Sequence, residues 1–203
     1  MARTPETDFF EAVYAGADGD DTAIPWQRAG SRPLVAEWLD GLEVEGGERA
    51  LVVAAGLGDD AAALAGRGLD VAAFDAAPSA VAWARQRHPD ADVAWHVADL
   101  FALPGDWVRA FDVVLEVFTI QSIPPADQDH AVDAVAETVA PGGVLVAIAI
   151  ERAADADVDG PPWPLHPGTL RRPQQRDFEL VEDHAEALSD DVRLVRRVLR
   201  RVA

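Results

Sequence analysis

Two glycines and three acids stand at spacings that could hold a nucleoside. Gly56 and Gly58 punctuate the stretch Arg49-Ala-Leu-Val-Val-Ala-Ala-Gly-Leu-Gly-Asp-Asp60, and Asp75 closes the run Leu69-Asp-Val-Ala-Ala-Phe-Asp75. Glycines where a strand turns into a helix let the backbone approach a ligand closely. An acid about 20 residues further on, at the end of the next strand, can accept hydrogen bonds from both hydroxyls of a ribose. A structural turn and a merely solvated acid would leave the same letters, so the pairing carries the inference rather than either part alone. His96-Val-Ala-Asp-Leu100 puts Asp99 at the end of another apolar run, where an adenine amino group could donate to it; capping of the next turn is the other reading. Phe111-Asp-Val-Val-Leu-Glu116 ends a fourth run in Glu116.

Acids that recur at the carboxyl ends of strands require elements that bring those ends together. Apolar runs suited to buried strands occur at Ala50–Ala55, Val71–Phe74, Val93–Val97, Phe111–Val117 and Val144–Ile150. Between them, Ala61–Arg67, Ser79–Arg87 and Asp127–Val139 have helical character, with Pro78 and Pro125 near helix starts and Pro141-Gly142-Gly143 as a stop. Strand and helix alternating in this way imply right-handed crossovers, a parallel sheet and an α/β fold. After Ile150 the pattern changes. Glu151–Gly160 is acidic, the next residues through Pro167 are proline-dense, and Phe178–Asp183 with Val192–Val202 suggest an antiparallel ending. The last segment also places arginines on one helical face; strand is the preferred reading.

The chain has 203 residues, enough for one domain with a substantial core, and a single domain over 1–203 is expected, with 1–45 as an N-terminal helical cap and 49–203 as the core. With 36 acidic against 17 basic residues, the net charge of −19 would repel phosphate backbones and anionic lipid, so neither nucleic acid nor membrane is an expected partner. All basic residues are arginine, which excludes Schiff-base and P-loop-lysine chemistry. No cysteine is present, which excludes disulfides and thiolate catalysis. His88, His96, His130, His166 and His184 form no close pair at metal-ligand spacing, and no metal is expected. The N-terminus lacks the apolar core of a secretory signal, so a cytoplasmic location is expected.

The order of these motifs resembles the class I S-adenosylmethionine-dependent methyltransferases over about Arg49 to Ile150. The resemblance implies a Rossmann-like, seven-stranded, mostly parallel sheet with helices on both faces and an antiparallel C-terminal strand. It also implies S-adenosyl-L-methionine as cofactor. Matched onto this sequence, Ala54, Gly56 and Gly58 would face the methionine part, Asp75 and Ala76 the ribose, Asp99 and Leu100 the adenine, and Glu116 would border the same crevice. A narrower resemblance, to the thiopurine and thiol methyltransferase branch, rests on Tyr14, Pro25-Trp26, the Gly-Leu-Gly-Asp-Asp turn, Phe118-Thr-Ile-Gln-Ser-Ile-Pro-Pro125 and Gly160-Pro-Pro-Trp-Pro-Leu165. That branch covers the cofactor with N-terminal aromatic residues, so Trp26 is a candidate lid. Two departures stand out: Val52 where class I loops have an acid, and Ala54 where they have a glycine.

Methyl transfer is an in-line displacement at an already activated carbon, so positioning matters more than a catalytic motif. A thiol needs little help and a hydroxyl or protonated amine needs a base. Glu116 is the best-placed candidate, with Gln121 as a hydrogen-bonding partner for the substrate. Phe101, Phe118 and Trp163 could line an apolar pocket and, with the acidic composition, favour a small, neutral or cationic, partly apolar acceptor. Two rivals remain. A nicotinamide-dependent oxidoreductase shares the strand, turn and acid logic, but Asp59 and Asp60 would repel a pyrophosphate. The other is a degenerate cofactor-binding domain without catalysis. Monomer and homodimer are both open.

Overall fold

The computed structural model describes residues 5–27, 30, 32–156 and 159–203, so residues 157 and 158 of the acidic stretch lie outside it. The chain forms a seven-stranded, Rossmann-like sheet with strands in the order β3-β2-β1-β4-β5-β7-β6. It divides into two compact units, Met1–Ala102 and Leu103–Ala203.

The first unit contains α1 (Pro5–Gly16), α2 (Pro33–Asp40), β1 (Arg49–Val53), α3 (Asp59–Gly66), β2 (Asp70–Asp75), α4 (Pro78–Arg87) and β3 (Val93–Val97). β1 pairs in parallel with β2, Ala50 opposite Val71, and β2 in parallel with β3, Phe74 opposite His96. Ala50 to Val53 are at most 3% exposed, as expected of a central strand covered on both faces. β1 ends two residues before the apolar run does. Ala54 turns into the left-handed region at φ 46, and the chain leaves the sheet there. Gly58, at φ 85, then caps α3, which begins at Asp59 rather than Ala61. α1 lays Phe10, Val13, Tyr14 and, beyond its end, Ala17 against Leu57, Ala77 and Ala80.

The second unit contains β4 (Phe111–Val117), α5 (Gln128–Thr138), β5 (Val139–Arg152), β6 (Phe178–Ala187) and β7 (Val192–Arg201). β4 and β5 are parallel, whereas β7 runs antiparallel to both β5 and β6. The last segment is therefore a strand. Pro141-Gly142-Gly143 was expected to stop a helix ahead of a strand starting at Val144. Instead the helix ends at Thr138 and β5 already runs through these residues. Phe111 pairs with Val139 and Val113 with Val144, so β5 carries extra residues at that point. Glycine makes the kink feasible: Gly142 sits at φ 80, and a β-carbon on Gly143 would lie 2.9 Å from the carbonyl oxygens of Phe111 and Asp112. On the other side, Glu151 makes two hydrogen bonds to the guanidinium of Arg197, both side chains at most 3% exposed. β6 forms the outer edge and carries Glu179, Glu182, Asp183 and Glu186; Glu182 pairs with Arg196 of β7 and Asp183 with Arg197.

Candidate functional site

The glycine turn and the acid after β2 meet directly. Asp75 Oδ2 accepts the Gly56 N–H at 3.0 Å, and Oδ1 accepts the Ala77 N–H at 2.9 Å. One carboxylate thus ties the turn after β1 to the start of α4, with Ala76 half-buried at the bend between them. Burial raises the Asp75 pKa, and the backbone N–H donors of Ala77, Gly56 and Ala76 oppose the rise. The carboxylate still has lone pairs for further donors, since each oxygen has more than one acceptor site.

Tyr14 and Trp26 lie over this turn. The indole Nε1 of Trp26 donates to the Tyr14 hydroxyl at 2.9 Å, and their rings meet edge to face at 5.7 Å. Phe10 packs on the other side of Trp26, with ring centres 5.4 Å apart. The Tyr14 hydroxyl stands 2.9 Å from where a β-carbon on Gly56 would project. Burial, with the nearby Asp75 charge, raises the tyrosine's pKa and keeps it a neutral phenol. Gly58 is closed off differently: a β-carbon there would come within 2.3 Å of the Trp95 ring.

The start of α3, where a helix would offer its N–H groups to a phosphate, is taken by the protein's own acids. Asp59 accepts from Gln27 Nε2 at 2.7 Å and from Arg87 Nε at 3.3 Å; Asp60 accepts from the Arg32 backbone N–H at 3.3 Å. A ligand phosphate would there meet two carboxylates already bonded to the chain's own donors.

Asp99 follows β3, half-buried. Its Oδ1 accepts the Phe101 N–H at 2.9 Å, so it caps the short turn Leu100–Ala102, while the Ala98 N–H bonds the Asp75 carbonyl at 3.1 Å. Leu100 is buried beside it, whereas Val97 and Phe101 remain 45% and 43% exposed, leaving apolar surface around the acid.

In the second unit, Glu116 is fully buried next to the end of β4. Its Oε1 accepts the N–H groups of Thr119 and Ile120 at 2.6 and 3.0 Å, and its Oε2 has no hydrogen-bond partner. Burial pushes its pKa up to about 7, against those two N–H donors. The result is a buried carboxyl group with one unpartnered oxygen, held more readily protonated than an ordinary glutamate. Gln121, also buried, has its amide oxygen engaged by the Ile150 N–H at 2.7 Å, and its carbonyl accepts the Trp163 N–H at 2.6 Å. It fastens the loop after β4 to the end of β5 and to the proline-rich segment. Trp163 is only half-buried there.

Of the residues singled out in the sequence, Trp26, Gly56, Asp75 and Ala76 are brought together, with Asp99 and Leu100 at the neighbouring strand's end. Ala54 is half-buried and left-handed at the exit of β1. Tyr14 is the residue whose importance the sequence understated. It appears in the motif set, but only its position above Gly56 shows what it does. Among the described residues no group of His, Asp and Glu side chains could hold a metal ion.

Residues 50–143 match the family model described as a methyltransferase domain. Demethylmenaquinone methyltransferase of Beutenbergia cavernae is 34% identical over 126 residues, 62% of this chain and 47% of that protein. The chain therefore spans about half the length of this curated relative. Among solved structures, the N-methyltransferase NodS of Bradyrhizobium japonicum, in complex with S-adenosyl-L-homocysteine, overlays 98% of this chain and 99% of its own with a TM-score of 0.70 and 19% identity. A protein solved in work on the conversion of a disulfide bond into a thioacetal group during echinomycin biosynthesis overlays 97% of this chain and 93% of its own, with a TM-score of 0.77 and 22% identity. At such identities the likeness is one of fold.

Proposed function

From the match of residues 50–143 to the methyltransferase-domain model, we propose that this protein is a class I methyltransferase that transfers the methyl group of S-adenosylmethionine to a small-molecule acceptor. The observation that carries the reading is Asp75, buried at the carboxyl end of β2 and bonded to the glycine turn in front of it. The residues present fit the cofactor. Asp75 and Ala76 would take the ribose hydroxyls, and Asp99, whose Oδ1 alone is engaged by the turn, would take the adenine amino group with Leu100 against the ring. Ala54, Gly56 and Gly58 would run beside the methionine part, with Trp26 as the cover. The acids at the start of α3 count against a dinucleotide and not against a cofactor without phosphate.

Bound there, the cofactor would supply a methyl group already activated by the sulfonium charge. What the chain must add is orientation, exclusion of water and a place for the acceptor's proton. Glu116 Oε2 is our candidate for that place, and Gln121 holds the loop that follows its strand. A thiol or other soft nucleophile as acceptor rests on the resemblance of the Tyr14, Trp26, Phe118–Pro125 and Gly160–Leu165 motifs to the thiol methyltransferase branch; such an acceptor asks least of a base. A cytoplasmic location and a monomeric or homodimeric state are part of the same proposal. Among the described residues no helix is long and apolar enough to cross a membrane.

Calorimetric titration with S-adenosylmethionine, S-adenosylhomocysteine and NADH tests the core of the reading. The two sulfur compounds should bind with dissociation constants below about 1 mM and NADH should not bind. Heats from NADH alone would overturn it. Turnover of thiol, phenol and amine panels, followed as S-adenosylhomocysteine release, tests the acceptor class, which fails if only amines react.

A further inference from the structure

A cavity of about 430 Å³ opens inside the second unit, between the loop after β4 and the segment that follows β5. Its size is that of a small-molecule site rather than a peptide groove. Pro125, Ala126 and Pro164 give it apolar walls, and Arg152, the last residue of β5, reaches into it.

Arg152 differs from the other arginine of this cavity. Its Nη1 donates to the carbonyls of Ala153, Ala154 and Ala156 at 2.9 to 3.0 Å, but its Nε is buried without a hydrogen-bond partner. Among the described residues no carboxylate lies within ion-pair distance of it. Arg172, by contrast, is balanced by Asp129 at 3.0 Å and by both oxygens of Asp133 at 2.9 Å. Arg172 is thus shared between two carboxylates, and Asp133 also holds Arg176 at 3.1 Å. His166 accepts the Gly168 N–H on Nδ1 at 3.1 Å, so its proton sits on Nε2 and adds a donor at the rim. The Nε of Arg152 is closed off from the cavity, so what the cavity meets is the rest of the guanidinium and its charge.

We infer that this cavity binds a small organic acid, with Arg152 receiving its carboxylate and the proline and alanine walls receiving its apolar body. The inference sets a local charge against a global one. The net charge of −19 repels anions at long range, but at physiological salt that field decays over about 8 Å, and within the cavity Arg152, without a carboxylate partner among the described residues, acts at closer range. As an acceptor pocket it rests on the methyl-transfer reading above. The loop that follows β4 reaches the cavity at Pro125 and Ala126.

The probes are benzoate and its neutral analogue benzyl alcohol, followed by saturation-transfer NMR on the full chain, with S-adenosylhomocysteine titrated in parallel. Benzoate should bind the wild type at least ten times more tightly than benzyl alcohol, and Arg152→Gln should abolish that preference. Because Arg152 also braces the turn after β5, a second variant leaves it in place: Ala126→Trp, at an exposed rim position, should weaken benzoate binding by obstruction. Equal binding of the two probes, a preference that survives Arg152→Gln, or benzoate binding untouched by Ala126→Trp would each overturn the inference. If S-adenosylhomocysteine binds and benzoate shows no preference, the cavity reading falls alone. A benzoate preference without S-adenosylhomocysteine binding would leave the cavity standing and sink methyl transfer.

Discussion

The hydroxyl of Tyr14 occupies the space beside Gly56 that any side chain there would need, at 2.9 Å from the projected β-carbon. The turn therefore depends on a residue from α1 as well as on its own glycine. Tyr14 cannot step aside easily, since its ring is 6% exposed and wedged against Trp26.

A double-mutant cycle reads this relation. Gly56→Ala carries a left-handed penalty of about 1–2 kcal/mol in any background, because Gly56 sits at φ 54. The clash adds to it only while the tyrosine hydroxyl is present. Chemical denaturation should give a coupling of about 1–2 kcal/mol between Gly56→Ala and Tyr14→Phe, with the alanine better tolerated in the phenylalanine background. Additive effects would mean that the two residues do not share that space.

Asp75→Ala removes two acceptors at once. The N–H groups of Gly56 and Ala77 lose their partner, at about 1–3 kcal/mol for each one left unsatisfied. The variant should lose at least tenfold in S-adenosylhomocysteine affinity and also a measurable part of its thermal stability. A loss of affinity with an unchanged melting temperature would show that the carboxylate serves the ligand and not the turn.

Glu116 links stability to pH with a definite sign. The unfolded chain releases this proton near the ordinary value of 4.5, while the folded protein keeps it up to about 7. Between those values the native state binds more protons, so its stability falls as pH rises, by up to about 3 kcal/mol. Glu116→Gln should flatten that part of the profile and be the more stable protein at pH 8. Methyl transfer, where Glu116 takes the proton, should rise through pH 7 in the wild type and lose that limb in the glutamine variant. Parallel pH profiles for the two proteins would remove Glu116 from both roles.

Ala54 bears backbone strain that a glycine would relieve. At φ 46 it pays the left-handed penalty of a residue with a β-carbon, about 1 kcal/mol or slightly more. Ala54→Gly should raise the melting temperature by up to about 2 °C once the flexibility glycine adds to the unfolded chain is subtracted. Differential scanning calorimetry settles the sign; a lower melting temperature would mean that the methyl group packs too well to lose.

β1 was legible because burial on both faces writes a continuous apolar run; β3 and β4 also fall on the runs Val93–Val97 and Phe111–Val117, although β3 is an edge strand with no buried residue and shows only in its β-branched and aromatic residues. Pro141-Gly142-Gly143 misled because proline and glycine signal a break, whereas β5 uses them to bend close to the carbonyls of Phe111 and Asp112. Asp75 stood out by spacing, but its two backbone partners could not, since main-chain donors look alike in every sequence. Tyr14 and Trp26 are separated by a turn-rich segment, so no periodicity announces that they meet. Arg152 was hidden for a different reason: in a chain with 36 acids, what marks it is the carboxylate it lacks among the described residues, and an absence in space has no letter.

β6 is the sheet's outermost strand, and its row of Glu179, Glu182, Asp183 and Glu186 has a consequence for how copies of the chain can meet. A second molecule extending the sheet by pairing β6 with β6 would set those carboxylates against their own counterparts. Glu182 and Asp183 are held by Arg196 and Arg197 of β7, behind the edge, and Asp183 also by Arg171. The hydrogen-bonding rim that could seed fibrous growth is thus guarded by charge, which disfavours this edge as a route of self-association.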